Sequence, residues 1–132
     1  MLASAPTYPV LAATDLDRAR GWYSEKLGLE PAMDMEGALI YRSGATMFML
    51  YETPYAGTAK NTVAGWLVDD LDAVMSDLRS RGVRFEDYDL EGGPKTVDGV
   101  ATDPVGGRTA WFSDSEGNIL SVTQAPPGMS LP

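Results

Sequence analysis

Two stretches of the chain show the same order of apolar and polar positions. Each begins with a short apolar run, residues 8–13 in the first stretch and 63–68 in the second, which is typical of a β-strand. An aspartate follows each run at the position of a helix N-cap, and apolar residues then recur at helical spacing. Gly28 and Gly82 follow the helical segments, where a residue that tolerates positive φ is favoured. Both stretches therefore predict a strand that leads into a helix.

Three further strand-like runs follow each predicted helix. They are about residues 30–36, 38–42 and 45–51 in the first stretch, and about 84–88, 108–113 and 119–124 in the second. Ser43-Gly44 predicts a tight hairpin between the last two runs of the first stretch, and residues 115–118 predict a turn in the second. The order of elements is β-α-β-β-β in both stretches.

Short matching segments indicate that the two stretches are repeats. The Asp-Leu-Asp of residues 15–17 recurs at residues 70–72, and Gly28-Leu29 corresponds to Gly82-Val83. The distance between matching positions changes by about one residue across a whole helix, so an internal duplication is the natural interpretation.

We predict one domain, residues 1–132, of the α+β class. Its parts are module one at about residues 7–52, a linker at 53–61, module two at about 62–124 and a frayed tail at 125–132. Residues 90–107 form a predicted glycine-rich loop, which is either a functional lid or a mobile segment.

The composition limits the chemistry of the chain. It contains no histidine and no cysteine, and its net charge is −9 with a pI of about 4.3. The commonest transition-metal ligands are therefore missing, as are the Ser-His and Cys-His pairs of nucleophilic enzymes. An acidic surface disfavours nucleic acids and anionic membranes, and it either serves solubility or favours a cationic ligand.

The chain also lacks patterns that would place it in a membrane or direct it to secretion. No segment is long and apolar enough to span a bilayer, and the first residues have no basic n-region or apolar h-region. Because cysteine is absent, no disulfide can form. We expect a cytoplasmic protein that does not associate with membranes.

Three groups of residues resemble the motifs of one superfamily. The first is Thr14-Asp-Leu-Asp-Arg-Ala19 with Trp22-Tyr23 and Lys26-Leu-Gly-Leu29, the second is Val68-Asp-Asp-Leu-Asp-Ala73, and the third is residues 107–118 with the turn Asp114-Ser-Glu-Gly-Asn118. In these motifs, over about residues 7–124, the chain resembles the vicinal oxygen chelate superfamily of glyoxalase I, bleomycin-resistance proteins and extradiol dioxygenases. Ser115 stands where the turn of that family has a proline.

The resemblance implies two tandem βαβββ modules whose curled mixed sheets surround a cavity, in a protein that is usually a dimer. In members that use a metal, the first and last strands of each module supply one ligand each, mostly His or Glu. The corresponding positions here are Tyr8, Met49, Val63 and Ser121. Because these side chains do not make a tight divalent-metal site, we predict neither a metal nor another cofactor.

Strand alternation predicts an apolar pocket in place of the metal site. The residues predicted to bind a ligand are Tyr8, Val10, Arg42, Met49, Tyr51, Val63, Leu67, Trp111 and Ser121. Alternatively, the apolar members of this set fill a small core, Trp111 belongs to that core, and Arg42 is a solvated hairpin residue. Trp66 alternates to the other face, where we expect it to pack under a helix.

These features favour a metal-free binding protein of the bleomycin-resistance type. A homodimer would hold a small organic molecule, such as an aromatic or cationic antibiotic, and sequester it. We assign no catalytic residue and expect no metal-dependent glyoxalase or dioxygenase activity.

Two alternatives stay open from the sequence. The first is a metal-independent isomerase, cyclase or lyase that acts on a hydrophobic metabolite, with Tyr8, Tyr51, Glu52 or Glu86 as acid or base. The second, less favoured, is a metalloenzyme such as a glyoxalase or dioxygenase whose ligands are carboxylates alone, such as Glu52 with residues of the 90–107 loop.

Overall fold

A computed structural model describes residues 1–129, which form two four-stranded mixed sheets. The first sheet contains β1 (Val10–Ala13), β2 (Met33–Met35), β3 (Ala38–Ser43) and β4 (Thr46–Glu52) in the order β1-β4-β3-β2. The second contains β5 (Thr62–Leu67), β6 (Ala101–Thr102), β7 (Arg108–Ser113) and β8 (Ile119–Gln124) in the order β5-β8-β7-β6. In each sheet the first strand runs parallel to the last, and the other pairs are antiparallel. The predicted α+β fold is confirmed, and the last three residues of the predicted frayed tail lie outside the described residues.

Two helices connect the first and second strands of the repeats. They are α1 (Leu16–Trp22), which continues into a π-helical turn at Tyr23–Leu27, and α2 (Leu71–Ser80). Asp15 and Asp70 are their N-caps, because each carboxylate accepts a hydrogen bond from the backbone N–H three residues later, at 3.0 and 3.1 Å. Gly28 and Gly82 follow the helical segments with φ of 68° and 90°, as the sequence predicts. Within residues 1–129, no helix has the length and apolar character needed to cross a bilayer.

The prediction of a strand at residues 84–88 is wrong. The neighbour of β7 is β6, which lies inside the predicted 90–107 loop and pairs Ala101 with Thr109. Asp98 and Gly99 have φ of 52° and 83°, and they turn the chain between the bridged residues Val97 and Val100. This short hairpin directs the following residues along β7.

The predicted strand at residues 30–36 is shorter in the structure, where only Met33–Met35 pairs with β3. Just before it, the N–H of Ala32 also donates to the carbonyl of Ile40 in β3, at 2.8 Å. The first sheet therefore ends in a short edge strand.

The two sheets share one hydrophobic cluster. Its largest fully buried side chains are Leu11, Tyr23, Tyr41, Leu50, Leu71, Phe112 and Leu120, which come from both repeats. Trp66 lies on the buried face of β5, and its ring edge meets Phe48 of the first sheet with centroids 5.7 Å apart. Trp66 Nε1 also donates to Ser43 Oγ at 3.0 Å, so this side chain joins the two sheets in addition to packing near the helices. Each sheet thus turns one face to the cluster and leaves the other face open.

The turn at residues 114–118 connects the two repeats by buried polar contacts. The Asp114 carboxylate accepts from Tyr23 Oη at 2.6 Å and from the Asn118 side chain at 2.8 Å. The Asn118 amide also donates to the carbonyl of Ala12 in β1 at 2.8 Å. Since buried polar groups are costly without partners, this network fixes how the second repeat meets the first.

The Tyr41→Phe variant is expected to be as stable as the wild type, or more stable by about 1 kcal/mol. Tyr41 is fully buried, burial raises its pKa to about 12, and its hydroxyl has no hydrogen-bond partner among the described residues. Removing the hydroxyl therefore removes a desolvated group without breaking a bond. Urea denaturation followed by circular dichroism measures the free energy of unfolding.

Tyr23→Phe is the matched control, because Tyr23 is equally buried but donates to the Asp114 carboxylate. Loss of this hydrogen bond is expected to lower the free energy of unfolding by about 1.5–3 kcal/mol, the usual contribution of a hydrogen bond to a charged group. If both variants lost the same stability, the difference between the two hydroxyls would be refuted.

Candidate functional site

One face of the first sheet points away from the shared cluster and is apolar. Residues paired across neighbouring strands lie on the same face. This face carries Val10, Ala12, Met33, Met35, Ile40, Arg42, Met47, Met49 and Tyr51, and we call it the first open face. Val10 and Met33 are 52% and 54% exposed, whereas the alternating residues Leu11 and Leu50 are buried. The first open face therefore presents four of the chain's seven methionines and one cation to solvent.

A cavity of about 580 Å³ lies at one end of the first open face. Tyr8, Met33, Ile40, Arg42 and Met47 line it, with short loop segments beside them. Its volume is within the range of small-molecule sites, roughly 300–1,000 Å³. The Arg42 guanidinium makes no ion pair or hydrogen bond with any residue in the range 1–129, so it is free to meet an anionic group of a ligand.

The second sheet has an open face with more hydroxyl groups, which we call the second open face. Cross-strand pairing places Thr62, Gly65, Leu67, Thr109, Trp111, Ser113, Ile119, Ser121 and Thr123 on it, while Val63 lies at a bulge and packs against the hydrophobic cluster. Leu67 is 56% exposed. Ser121 is buried because Gly65 lets it approach closely: a Cβ at Gly65 would lie 2.6 Å from Ser121 Oγ. The second open face is thus more polar than the first.

Trp111 belongs to the second open face and not to the hydrophobic cluster. Register pairs it with Ser121, whereas its neighbour Phe112 is on the buried face. Its indole N–H donates to Thr62 Oγ1 at 3.1 Å, and its ring meets the edge of Tyr88 at 5.6 Å. The ring is half-buried and is held in place by these two contacts.

The predicted ligand-binding residues divide between the two sheets. Tyr8, Val10, Arg42, Met49 and Tyr51 lie with the first open face, and Leu67, Trp111 and Ser121 lie with the second. Val63 lies at a bulge of β5 and packs against the hydrophobic cluster, so its prediction as a binding residue is wrong in this structure. Sequence reasoning missed Met33, Met35 and Met47, although the alternation Met33-Asp34-Met35 and the i+2 spacing to Met49 are the signals that would have found them.

The four positions that the resemblance assigns to metal ligands do not fit a divalent cation. Tyr8 lies just before β1 and Met49 in β4, while Val63 and Ser121 lie in β5 and β8, so each repeat supplies one pair. A phenol, a thioether, an alkyl group and a hydroxyl are poor ligands for Zn²⁺ or Mn²⁺. Within residues 1–129, no group of three or more His, Cys, Asp or Glu side chains is placed to share an ion.

The candidate acid and base residues lie on separate surfaces. Tyr8 and Tyr51 are both on the side of the first open face, but register separates them by four residues along the sheet, roughly 13 Å. Glu52 pairs with Ala13 and therefore projects from the opposite side of the strand from Tyr51. Glu86 lies beside Trp111, where its backbone N–H donates to the Trp111 carbonyl at 2.8 Å. All four side chains are exposed in a single chain.

Comparison with known proteins identifies the fold. The structure of a glyoxalase/bleomycin resistance protein from Catenulispora Acidiphila DSM 44928 is 24% identical with a TM-score of 0.70, over 93% of this chain and 100% of that one. A bleomycin-binding protein solved in complex with bleomycin is 23% identical with a TM-score of 0.70, over 92% and 99%. A lactoylglutathione lyase from Agrobacterium tumefaciens is 20% identical with a TM-score of 0.70, over 96% and 98%. At these identities the likeness concerns the fold.

Comparison with curated protein sequences gives no significant match. The sequence model of the Glyoxalase/Bleomycin resistance protein/Dioxygenase superfamily matches residues 6–122, which is most of the chain. The chain therefore belongs to the glyoxalase/bleomycin resistance protein/dioxygenase superfamily.

Proposed function

We propose that this protein binds a small organic molecule on its open sheet faces and does so without a metal. The observation that carries the proposal is the first open face, an apolar and methionine-rich sheet surface that no other part of the described chain covers. Contiguous exposed apolar surface of this kind marks a binding site in a soluble protein.

The chemistry of the first open face suits a large, partly aromatic ligand. Methionine thioethers are flexible and polarisable, so Met33, Met35, Met47 and Met49 can adapt to an irregular apolar outline. Tyr51 adds a rigid aromatic surface with a polar end, and Arg42 at the cavity supplies one charged donor. The net charge of −9 additionally attracts cationic compounds from a distance.

We also propose that two copies enclose the ligand in a cytoplasmic homodimer. Both open faces carry exposed apolar side chains, and a second face laid over either one would remove both ligand and protein surface from water. A structural relative that was solved with bleomycin bound supports a ligand of the antibiotic class.

A metal-independent enzyme is the second candidate function. The observation that favours it is the position of the Tyr8 phenol in the same cavity as the Arg42 guanidinium, an acid or base beside an anion-binding group. Conversion of a bound hydrophobic compound that Tyr8→Phe abolishes, with binding retained, would establish this candidate over simple sequestration.

The Met47→Lys variant is expected to weaken ligand binding at least tenfold. Met47 is 38% exposed on the first open face, so the change needs no repacking of the core, and it places a hydrated cation where the ligand lies. Isothermal titration calorimetry with bleomycin and a panel of aromatic cationic antibiotics measures the dissociation constant. Sedimentation equilibrium of the same samples measures the oligomeric state.

Ala73→Lys is the matched control, because Ala73 is an exposed residue of α2 and belongs to neither open face. It adds the same charge and is expected to leave the dissociation constant unchanged. No saturable heat from any compound, or equal affinity of the Met47→Lys protein, would refute binding on the first open face. A monomer that binds with full affinity would refute the homodimer alone.

A further inference from the structure

A cleft of about 700 Å³ lies outside both open faces, between α2 and the chain that leads to β7. We call it the α2 cleft. Its walls include Arg79 from α2, Lys95 from the segment before the 97–100 hairpin, and Arg108 from β7. Three cations thus border one depression in a protein whose net charge is −9.

Two of these cations have no carboxylate partner. The Arg79 guanidinium donates to the Asp98 carbonyl at 3.0 Å, and Lys95 makes no side-chain ion pair or hydrogen bond with any residue of the described range. Arg108 donates to the Asp72 carboxylate at 2.7 Å, so this pair is neutral as a unit. The Asp98 carboxylate also borders the cleft, and the Asp87 carboxylate lies close enough to Arg79 to interact with its charge. An anion at the cleft would therefore meet the N–H donors of Arg79 and Lys95, and not a large excess of positive charge.

The walls of the α2 cleft are held in position before any ligand arrives. Arg79 stacks on Phe85, with its guanidinium carbon 5.3 Å from the ring centroid. The Asp87 carboxylate accepts from Thr96 Oγ1 and from Gly99 N–H, both at 2.8 Å, which fixes the hairpin opposite α2. A fixed guanidinium loses little side-chain entropy when it binds an anion.

The duplicated fold supplies an internal comparison. The depression beside α1 in the first repeat contains Arg18 and Arg20, but both are ion-paired, with Glu116 at 2.8 Å and Asp34 at 2.5 Å. Asp15, Asp17 and Glu52 also border it, so it is acidic. The fold therefore creates this depression twice, and only the second copy offers unpaired cations.

We propose that the α2 cleft binds a small organic anion, a phosphate or carboxylate group attached to a short apolar body. The anionic group lies between Arg79 and Lys95, which supply charge-assisted hydrogen bonds. The apolar body lies against Val97, Val100 and the edge of Met75, which form the apolar part of the lining. This site lies apart from the first open face, whereas Lys95 also lines a depression bordered by Thr109 and Trp111 of the second open face. Shifts at residues 72–79 of α2 therefore distinguish the α2 cleft from the second open face.

The test is an NMR titration of the ¹⁵N-labelled protein with phenyl phosphate, compared with inorganic phosphate. Saturable shifts are expected at residues 72–79 and 95–108, with tighter binding of phenyl phosphate than of inorganic phosphate. The Lys95→Ala variant is expected to bind phenyl phosphate roughly fivefold more weakly, as loss of one exposed ionic contact predicts. Raising the salt concentration should weaken the wild-type affinity further.

Lys60→Ala is the matched control, because Lys60 is an exposed linker lysine that loses the same charge and should leave the affinity unchanged. Three results would each overturn the proposal: no saturable shift in the α2 cleft at millimolar phenyl phosphate, equal affinity of the Lys95→Ala protein, or equal affinity for the two probes. Shifts confined to the open faces would also overturn it, while leaving the proposed function intact.

Discussion

Glu116→Ala is expected to destabilise the protein by about 3–5 kcal/mol, the usual cost of breaking a buried ion pair by removing one partner. The Glu116 side chain is fully buried, although its residue lies on a turn. Its carboxylate accepts from the backbone N–H groups of Thr14 and Asp15 at 2.9 and 3.0 Å, and from Arg18 Nε at 2.8 Å. Ser115 Oγ donates to it as well, at 2.8 Å. Alanine would leave two backbone donors at the start of α1 and one guanidinium without their acceptor.

The same carboxylate should make stability depend on pH in acid. Desolvation raises the pKa of Glu116, but hydrogen bonds from Arg18, the Asp15 backbone and Ser115 outweigh it and lower the pKa from 4.5 to about 2. A carboxyl whose pKa is lower in the folded state stabilises the fold above its unfolded value, and that contribution is lost as pH falls through the folded value. Roughly 3 kcal/mol should therefore disappear between pH 4.5 and about 2.

Urea denaturation of wild type, Glu116→Ala and Glu116→Gln at several pH values measures both effects. Glutamine keeps one acceptor oxygen but no charge, so at neutral pH the Glu116→Gln variant should be less stable than wild type and more stable than Glu116→Ala. Glu25→Ala is the control, because that carboxylate is 75% exposed in a loose pair with Lys26. A Glu116→Gln protein that loses as much stability in acid as the wild type would contradict the assignment.

The helices and the repeats could be predicted from the sequence because their causes are local. Asp15 and Asp70 cap the helices with bonds that span three residues, and Gly28 and Gly82 end the helical segments with positive φ. The strand β6 could not be predicted in the same way. It is only two residues long, and its position is set by the Asp98-Gly99 turn, a hairpin pattern that lies inside a glycine-rich segment.

For the candidate site, the sequence predicts which residues share one face of a strand, but not which faces form a common pocket. Alternation along β1 and β4 correctly groups Val10, Met49 and Tyr51, because period-two patterning needs no knowledge of distant residues. It does not say which positions of separate sheets meet, and the structure distributes the predicted set over two surfaces. The role of Glu116 could not be predicted for the same reason: the N–H groups that donate to its carboxylate lie about a hundred residues earlier in the chain, and no local sequence pattern indicates them.

Phe112→Ala is expected to cost about 3–5 kcal/mol and to unfold both repeats in one transition. Phe112 is 1% exposed, and its ring stacks on Trp22 of the first repeat at 6.3 Å and meets the edge of Phe85 at 5.7 Å. The cavity left by alanine would therefore border side chains of both repeats. Circular dichroism and tryptophan fluorescence during urea denaturation should give coincident transitions, both at lower urea than wild type.

Trp111→Ala is the sharpest control, since Trp111 is the neighbouring aromatic residue and β-strand alternation places it on the opposite side. Its ring is half-buried on the second open face, so its loss should cost only about 1 kcal/mol, mainly through contacts with Tyr88 and Thr62. A large difference between the stability losses of Phe112→Ala and Trp111→Ala would follow from the division of each sheet into a buried and an open face. Equal destabilisation would show that the second open face is part of the core, and the ligand site would then be restricted to the first open face.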